Sequence, residues 1–271
     1  MFPELLTIGP LTIHTYGLMV ALGIMAGVGL AEYLYRRSGG DPGRVIDMAL
    51  IIVICGLIGA RTLFVLVNLS YYTSNPLEII MLWKGGLVFY GGLLGGILAL
   101  LACIRFYRLP LWSMLDIGAA AIALGHGLGR LGCFTAGCCY GKLTDLPWAV
   151  TFTDPRCLAA EVLNQPVHPT QLYSFLFLTG LAGFLVWLQP RKSFDGQGAA
   201  AYLFLYGLFR FGVEFLRSDP RGSFHLVGIT LTTSQWISLV AVLAGVMIFV
   251  VLSRRQKQLL RRENGELKIE S

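Results

Sequence analysis

The chain has 271 residues, of which 55% are hydrophobic and only 13% are charged, whereas a soluble globular domain carries roughly 25% charged residues. Together with a mean hydropathy of +0.68, these values exclude a soluble enzyme, a disordered chain and a fibrous repeat. The net charge of +6 is typical of the basic bias of cytoplasmic loops. Because the Lys and Arg residues do not cluster on a polar face, no nucleic-acid partner is expected.

Apolar segments along the chain are long enough to cross a bilayer, which takes roughly 20 helical residues. We predict spans near 13–34, 45–67, 87–106, 112–131, 171–189, 198–216 and 233–252. The fourth segment is expected to be the least apolar, because Asp116, His126 and Arg130 interrupt it. The predicted fold class is an all-α polytopic membrane protein with about seven transmembrane helices.

Basic residues outside these segments or at their ends are unevenly distributed. The connections after the first, third and fifth segments, and the C-terminal end, contain Arg36, Arg37, Arg44, Arg105, Arg108, Arg191, Lys192, Arg254, Arg255, Lys257, Arg261, Arg262 and Lys268. The other connections contain Lys84, Lys142, Arg156, Arg217 and Arg221. Because basic residues accumulate on the cytoplasmic side, we predict an outside N-terminus and a cytoplasmic C-terminus. Residues 1–252 would form a single transmembrane catalytic domain with a long outer loop near 132–170, and 253–271 would form a basic cytoplasmic tail.

Among the charged residues inside the predicted segments, the candidates for a functional site are Arg61, Arg130, Arg210 and Glu214. Charges in hydrocarbon are expensive, so these side chains are expected to face the bundle interior or a wet cavity. The guanidinium fork suits phosphate, so several inward arginines suggest an anionic head group. The alternative is that Arg210 and Glu214 only pair with each other at i,i+4. Tyr206, Arg210 and Glu214 also follow one another at i,i+4, which predicts one polar stripe facing a cavity.

Glycines at 125, 127, 129 and 132 surround Arg130. Glycine lets backbone N–H groups approach a phosphate, although ordinary small-residue helix packing explains the same pattern. His126, at i,i+4 from Arg130, is either a base or a histidine satisfied by packing. Tyr90, several residues into the third segment, is either an interfacial aromatic or a residue whose hydroxyl faces a cavity. Thr170 is expected to cap the fifth helix.

The cysteines are Cys55, Cys103, Cys133, Cys138, Cys139 and Cys157. No two of them are spaced as Cys-x-x-Cys, and their spacing is not that of a zinc site. No metal is therefore expected. The four outer-side cysteines are compatible with disulfides in an oxidising compartment. A packing role as small apolar side chains is equally compatible with their positions.

Six ordered motifs, together covering nearly the whole chain, resemble those of the bacterial prolipoprotein diacylglyceryl transferases. They are Tyr16-Gly17-Leu18-Met19, Gly59-Ala60-Arg61, Gly85 to Gly95, Gly129-Arg130-Leu131-Gly132, His168 to Tyr173, and Tyr206 to Arg210 with the following Glu214 to Arg217. Each motif is weak alone, but their order and separations are specific together.

The resemblance implies a seven-span, multi-pass enzyme of the bacterial inner membrane. Such an enzyme transfers diacylglyceryl from phosphatidylglycerol to the lipobox cysteine in prolipoprotein signal peptides, making a thioether and releasing glycerol phosphate without a cofactor or metal. It implies that Arg130 and Arg210 are essential, and that Tyr206, Glu214 and Tyr90 belong to the catalytic site. The residues implied in phosphatidylglycerol binding are Arg130, Arg210, Arg61, Tyr16, Gly129, Gly132, Arg217 and His126.

The chain departs from the family pattern after Gly132, where two Asn and a Glu are replaced by Cys133, Ala136 and Cys138. A tyrosine also stands at position 90, where some members have a histidine. The sequence does not decide whether the general base is Tyr90, Tyr206 or His126. An alternative function is a non-catalytic family member that binds or transports anionic lipid, although no internal repeat of the transporter kind is visible.

Overall fold

The computed structural model describes residues 3–8, 11–81, 85–218, 223–226 and 229–267. Most of them are helical. The helices are α1 Thr15–Arg37, α2 Pro42–Val67, α3 Leu69–Ser74, α4 Phe89–Phe106, α5 Leu111–Ala136, α6 Thr170–Leu188, α7 Gln197–Glu214 and α8 Thr233–Leu267. Lys84, Arg221 and Lys268, which we used to predict orientation, lie outside the described residues.

A long helix occupies the position of every predicted span. Within the described ranges, six helices have the length and composition needed to cross a membrane, namely α1, α2, α4, α5, α6 with the turn that follows it, and α8. The chain is therefore a polytopic, mainly α-helical membrane protein. The sixth predicted segment, not the fourth, fails to reach that composition, because α7 begins at Gln197 and contains Arg210 and Glu214.

The chain packs as two compact units. One comprises Met1–Ala31 with Leu115–Ser271, and the other comprises Glu32–Met114. In the second unit, α2 packs along α4, and the backbones come close where Gly59 faces Gly91. A Cβ on Gly91 would lie 2.6 Å from the Cβ of Leu63. Small residues at such crossings let membrane helices approach closely enough for good van der Waals contact.

In the first unit, the same device joins two pairs of helices. On α1 and α5, Gly23 faces Gly125, where a Cβ on Gly23 would lie 2.6 Å from the Gly125 carbonyl oxygen. On α7 and α8, a Cβ on Gly207 would lie 2.9 Å from the Ser238 carbonyl oxygen. These contacts pack α1 against α5 and α7 against α8.

Asp116, which interrupts the fourth apolar segment, binds the start of α7. Its buried carboxylate accepts hydrogen bonds from the backbone N–H groups of Gly196 and Ala199, each at 2.9 Å, and from Lys192 Nζ at 2.8 Å. A carboxylate is favourable at a helix N-terminus. Burial lowers the pKa of Lys192, but the hydrogen bonds to Asp116 and Asp195 outweigh it and raise that pKa overall. Asp116 therefore has a structural role.

Short antiparallel hairpins precede α1 and α8. One is formed by β1 Glu4–Ile8 and β2 Leu11–His14, and its pairing is irregular between Glu4 and Leu6. The other is formed by β5 Ser223–Leu226 and β6 Ile229–Thr232, in which Ser223 pairs with Thr232.

The last helix continues to Leu267, so the basic residues predicted to form a tail after 252 extend α8. Arg254, Arg255, Lys257, Arg261 and Arg262 are all exposed there.

The long loop predicted near 132–170 has its own structure. Helix α5 continues to Ala136, so the loop begins later than predicted. It contains β3 Val150–Thr151, paired antiparallel with β4 Pro166–Val167, and a short 3-10 helix at Ala160–Val162. Its small apolar core consists of Tyr140, Phe152, Cys157, Ala159 and Val167. This core holds the loop against the end of α5.

Candidate active site

Arg130 lies on α5, one turn after His126. Its Nε donates a hydrogen bond to Nε2 of His126 at 3.1 Å. An Nε2 that accepts a hydrogen bond carries no proton, so the arrangement is that of a neutral imidazole protonated at Nδ1. The two terminal nitrogens of half-buried Arg130 make no hydrogen bond to any described residue. A Cβ added to Gly129 would contact no described atom within 4 Å beyond its own chain neighbours and helix backbone.

Helix α7 brings the predicted polar stripe to the same place. The ring of Tyr206 packs edge-to-face on His126, with centroids 5.5 Å apart. The charges of Arg130 and Arg210 both act on His126. Arg210 Nη1 donates to Glu214 Oε2 at 2.5 Å, and Nη2 donates to Ser234 Oγ at 2.9 Å. The Arg210–Glu214 pair, which the sequence suggested as an alternative, is thus present. It belongs to a polar cluster that also contains His126, Arg130 and Tyr206.

Glu214 is bound at both of its oxygens. The Thr232 hydroxyl donates to Glu214 Oε1 at 2.9 Å. Thr232 immediately precedes α8, and its hydroxyl accepts from the Gln235 N–H at 3.2 Å, while Gln235 Oε1 accepts from the Thr232 N–H at 3.0 Å. This reciprocal pattern is a capping box. The start of α8 therefore holds the acid that binds Arg210.

Arg217 follows α7 and is 7% exposed. The chain here is attached to the outer loop, because the Lys142 N–H donates to the Leu216 carbonyl at 2.7 Å. The side chain of Arg217 hydrogen-bonds the thiol of Cys139. Hydrogen bonds from Cys133 and Cys138, together with that from Arg217, hold the pKa of the Cys139 thiol below its ordinary value, although burial opposes this.

Tyr16 and Cys133 interact electrostatically with Arg130, and two further cysteines lie beside Cys133. The sulfur atoms of Cys133, Cys138 and Cys139 lie within 4.8 Å of one another. Tyr16, at the start of α1, interacts electrostatically with these thiols and with Arg130. Gly132 makes room for that tyrosine, since a Cβ there would lie 3.2 Å from Tyr16 Cδ2. The linear spacing of the cysteines did not predict this convergence.

Most of the predicted site residues belong to the first unit, and contacts link them. They are Tyr16, His126, Gly129, Arg130, Gly132, Tyr206, Arg210, Glu214 and Arg217. Sequence reasoning missed Thr232 and Ser234, which bind Glu214 and Arg210. The Thr-x-x-Gln pattern of Thr232 and Gln235 predicts a capping box and marks the start of α8. It does not predict the bond to Glu214.

Arg61 belongs to the second unit, and its donors have other partners than the expected head group. It is 5% exposed, and all three of its nitrogens donate to backbone carbonyls. The acceptors are Ile79, Gly85, Gly86 and Glu78. Its guanidinium also lies 5.3 Å from the ring centroid of Tyr72. Because these carbonyls take up the guanidinium, Arg61 holds the connection between α3 and α4 onto α2.

Two further residues singled out from the sequence, Tyr90 and Thr170, lie at the start of a helix. Tyr90 also lies in the second unit, in the first turn of α4; it is 55% exposed and packs edge-to-face on Phe89. Thr170 does not cap α6 as predicted. It is the first residue of the helix, and its buried hydroxyl donates to the Cys139 carbonyl at 2.7 Å. The competing acceptor on the outer loop explains the difference.

Known proteins resemble this chain over most of its length. The family described as prolipoprotein diacylglyceryl transferase matches residues 3–251. A phosphatidylglycerol–prolipoprotein diacylglyceryl transferase of Clostridium tetani is 37% identical over 258 residues, covering 95% of this chain and 100% of the relative. Those of Bordetella avium and Synechococcus elongatus are 38% and 35% identical, covering 94% and 90% of this chain and 96% and 85% of the relatives. The chain therefore belongs to the prolipoprotein diacylglyceryl transferase family.

Proposed function

We propose that the chain transfers the diacylglyceryl group of phosphatidylglycerol to the lipobox cysteine of a prolipoprotein. The sulfur of the substrate cysteine attacks the glycerol carbon that bears the phosphate. A carbon–sulfur bond forms, the carbon–oxygen bond breaks, and glycerol phosphate leaves with the bonding electrons. Family membership over residues 3–251 and the names of the relatives support this reaction.

The observation that carries the proposal for the site is the guanidinium of Arg130, whose two terminal nitrogens make no hydrogen bond to a described residue. A guanidinium with two free terminal nitrogens can bind two phosphate oxygens in parallel. As the carbon–oxygen bond breaks, negative charge grows on the departing phosphate. Donors already aimed at that charge, in surroundings of low dielectric, stabilise the transition state more than the ground state. His126 holds Arg130 through Nε and leaves the terminal nitrogens free, so we assign it a positioning role.

Arg210 and Arg217 supply further positive charge. Glu214 offsets the charge of Arg210, and its bond to Thr232 fixes the pair. In this proposal Arg210 contacts the phosphate through small rearrangement of its contact with Ser234, whereas Arg217 acts from the outer end of α7. Arg61 stabilises the second unit and does not contact the head group.

The attacking group must be a thiolate, because a thiol is a poor nucleophile. The Nε2 lone pair of His126 already accepts from Arg130, which makes His126 a poor proton acceptor there. Tyr206 has a hydroxyl without a hydrogen bond to any described residue, and its ring lies beside His126. We therefore assign Tyr206 the role of orienting the substrate thiol. Tyr90 is a candidate general base through the family resemblance alone.

We further propose that α7 is the seventh membrane span, with the N-terminus outside and the C-terminus in the cytoplasm of a bacterium, in its inner membrane. Burying Arg210 and Glu214 against each other and against α8 lowers the penalty of placing them at membrane depth. The exposed basic residues of α8 after Leu252 favour a cytoplasmic end. Residues 1–252 would form the catalytic domain, followed by the basic extension 253–271.

The proposal is tested by complementation of a bacterial strain depleted of its own transferase. We expect the wild-type gene to restore growth and lipoprotein modification, and Arg130→Ala to restore neither despite normal protein in the membrane. Arg156→Ala, a change in an exposed ion pair of the outer loop, serves as the control and is expected to restore both. Failure of the wild-type chain, combined with binding of phosphatidylglycerol, would instead support a lipid-binding protein and contradict the enzyme.

A further inference from the structure

The three thiols at the end of α5 meet the geometric requirement of a metal site. Their sulfur atoms lie within 4.8 Å of one another. A tetrahedral zinc ion with Zn–S bonds of about 2.3 Å holds its sulfur ligands about 3.8 Å apart. Small side-chain rotations at Cys133, Cys138 and Cys139 therefore suffice to bring all three sulfurs to one ion.

The backbone is folded so that these thiols converge. Cys133 lies in the last turn of α5, and the Cys138 N–H donates to the Cys133 carbonyl at 3.1 Å. Gly137 and Cys139 both have positive φ, of 70° and 63°. The left-handed region is uncommon for a residue with a side chain and is disfavoured unless the surroundings impose it. The left-handed backbone at Cys139 places its side chain near those of Cys133 and Cys138.

Two buried side chains of α6 hydrogen-bond the backbone carbonyls of the two adjacent cysteines, Cys138 and Cys139. Gln171 Nε2 donates to the Cys138 carbonyl at 2.7 Å, and Thr170 Oγ1 donates to the Cys139 carbonyl at 2.7 Å. Gln171 and Thr170 are 1% and 0% exposed. Such outer hydrogen bonds orient metal ligands and strengthen binding in known metal sites. The site is therefore supported by rigid surroundings on α6 and does not depend on loop residues alone.

Charge and ligand type narrow the class of ion. Among the described residues, this group of potential ligands contains only sulfur, and thiolates select thiophilic ions such as Zn²⁺ and Cu⁺ over Mg²⁺ or Ca²⁺. Three thiolates with one divalent ion carry a single net negative charge. Arg217, which hydrogen-bonds Cys139, provides a neighbouring positive charge that compensates it.

We propose that Cys133, Cys138 and Cys139 bind a thiophilic divalent ion of the Zn²⁺ class through three thiolates. Each thiol gives up its proton to solvent on binding, and no oxidant or reductant is involved. Three protein ligands leave the fourth tetrahedral position for water or an external thiol. This inference goes beyond the proposed transfer reaction, because two of the three residues, Cys133 and Cys138, stand where the chain departs from the family pattern.

The test uses purified full-length protein in detergent, reduced with a phosphine, and Zn²⁺ alone as the probe, in competition with a chromophoric chelator. We expect one Zn²⁺ per chain. Cys133→Ser, Cys138→Ser and Cys139→Ser should each weaken binding by more than the roughly 10–100-fold lost on changing outer-shell partners. Cys55→Ser, in the second unit, should leave binding unchanged. Equal binding by the triple Ser variant would overturn the proposal.

A second measurement does not depend on any variant folding. Co²⁺ added to the wild-type protein should produce thiolate-to-metal charge transfer and the absorption of a tetrahedral ion. Absence of both bands would contradict the site. So would a disulfide joining two of the three cysteines in protein isolated with its thiols trapped. Because each of these experiments measures metal binding, failure here leaves the lipid-transfer proposal intact, and failure of lipid transfer leaves the metal site intact.

Discussion

The Thr232 hydroxyl donates a hydrogen bond to the Glu214 carboxylate at 2.9 Å. This bond joins the end of α7 to the start of α8. Glu214 in turn accepts from Arg210 at 2.5 Å, so the cap of one helix and the arginine of another share a single buried acid. Because a buried charge is tolerated only when it is paired and hydrogen-bonded, stability and site geometry are linked at this point.

The first prediction concerns Thr232. Thr232→Ala removes both a helix cap, which contributes about 0.5–2 kcal/mol, and a hydrogen bond to a charged group, which contributes about 1.5–3 kcal/mol. We expect a lower temperature of unfolding in detergent, measured by circular dichroism. Thr232→Ser keeps the hydroxyl and should stay near the wild type. If the two variants unfold at the same temperature, the hydroxyl does not bind Glu214.

The second prediction concerns Arg130. Arg130→Ala should lower the rate of transfer by about 10²–10³-fold, as expected when one donor to a developing negative charge is removed. Arg130→Lys should lose a comparable amount, because an ammonium cannot supply two parallel donors. Rates are measured with a labelled lipobox peptide. A rate for Arg130→Lys close to that of the wild type would mean that charge alone matters.

Periodicity and charge were sufficient to predict much of this arrangement. The i,i+4 spacing of Tyr206, Arg210 and Glu214 predicted one stripe, and the three residues do lie in one polar cluster. The same reasoning grouped Arg61 with them, and the structure directs its donors to carbonyls of its own unit. Both environments satisfy a buried arginine, and only the tertiary fold decides between the backbone carbonyls that bind Arg61 and the side chains of Glu214 and Ser234 that bind Arg210.

The third prediction concerns Arg61. Lys at this position cannot reach the carbonyls of Ile79 and Gly85 together. Loss of even one net hydrogen bond, about 1.5 kcal/mol, should increase hydrogen exchange in the segment Pro76–Ile80 by about tenfold. The measurement is hydrogen–deuterium exchange with mass spectrometry on Arg61→Lys. Arg44→Lys, at an exposed ion pair, is the control. Unchanged exchange in Arg61→Lys would show that these carbonyl contacts do not hold the connection.

The fourth prediction concerns pH and Lys192. Its pKa in the folded protein lies above the ordinary value of 10.5. The ion pair with Asp116 therefore stabilises the fold fully below pH 10.5, and this contribution is lost as the pH rises through the higher folded value. Lys192→Met should unfold at a lower temperature than the wild type at neutral pH. The difference should persist from neutral pH to pH 10.5 and shrink above pH 10.5. A difference that disappears between neutral pH and pH 10.5 would contradict the raised pKa.

Other features were beyond the reach of a single sequence. Asp116 predicted only that its apolar segment would be the least apolar, whereas its carboxylate caps a helix more than 80 residues later in the chain. The spacing of Cys133, Cys138 and Cys139 argued against a metal site, but two left-handed residues after α5 bring the sulfurs together. Backbone turns of this kind are set by distant partners such as Thr170 and do not follow from ligand spacing.

The central claim is tested most directly by incubating the purified protein with phosphatidylglycerol and a lipobox peptide, and following the peptide by mass spectrometry. The Clostridium tetani relative, assayed under the same conditions, shows that substrates and detergent are suitable. We predict a mass increase equal to one diacylglyceryl group on the peptide cysteine with the wild-type protein, and a rate of modification about 10²–10³-fold lower with Arg130→Ala. An unmodified peptide with the wild-type protein, alongside a modified one with the relative, would contradict the assignment.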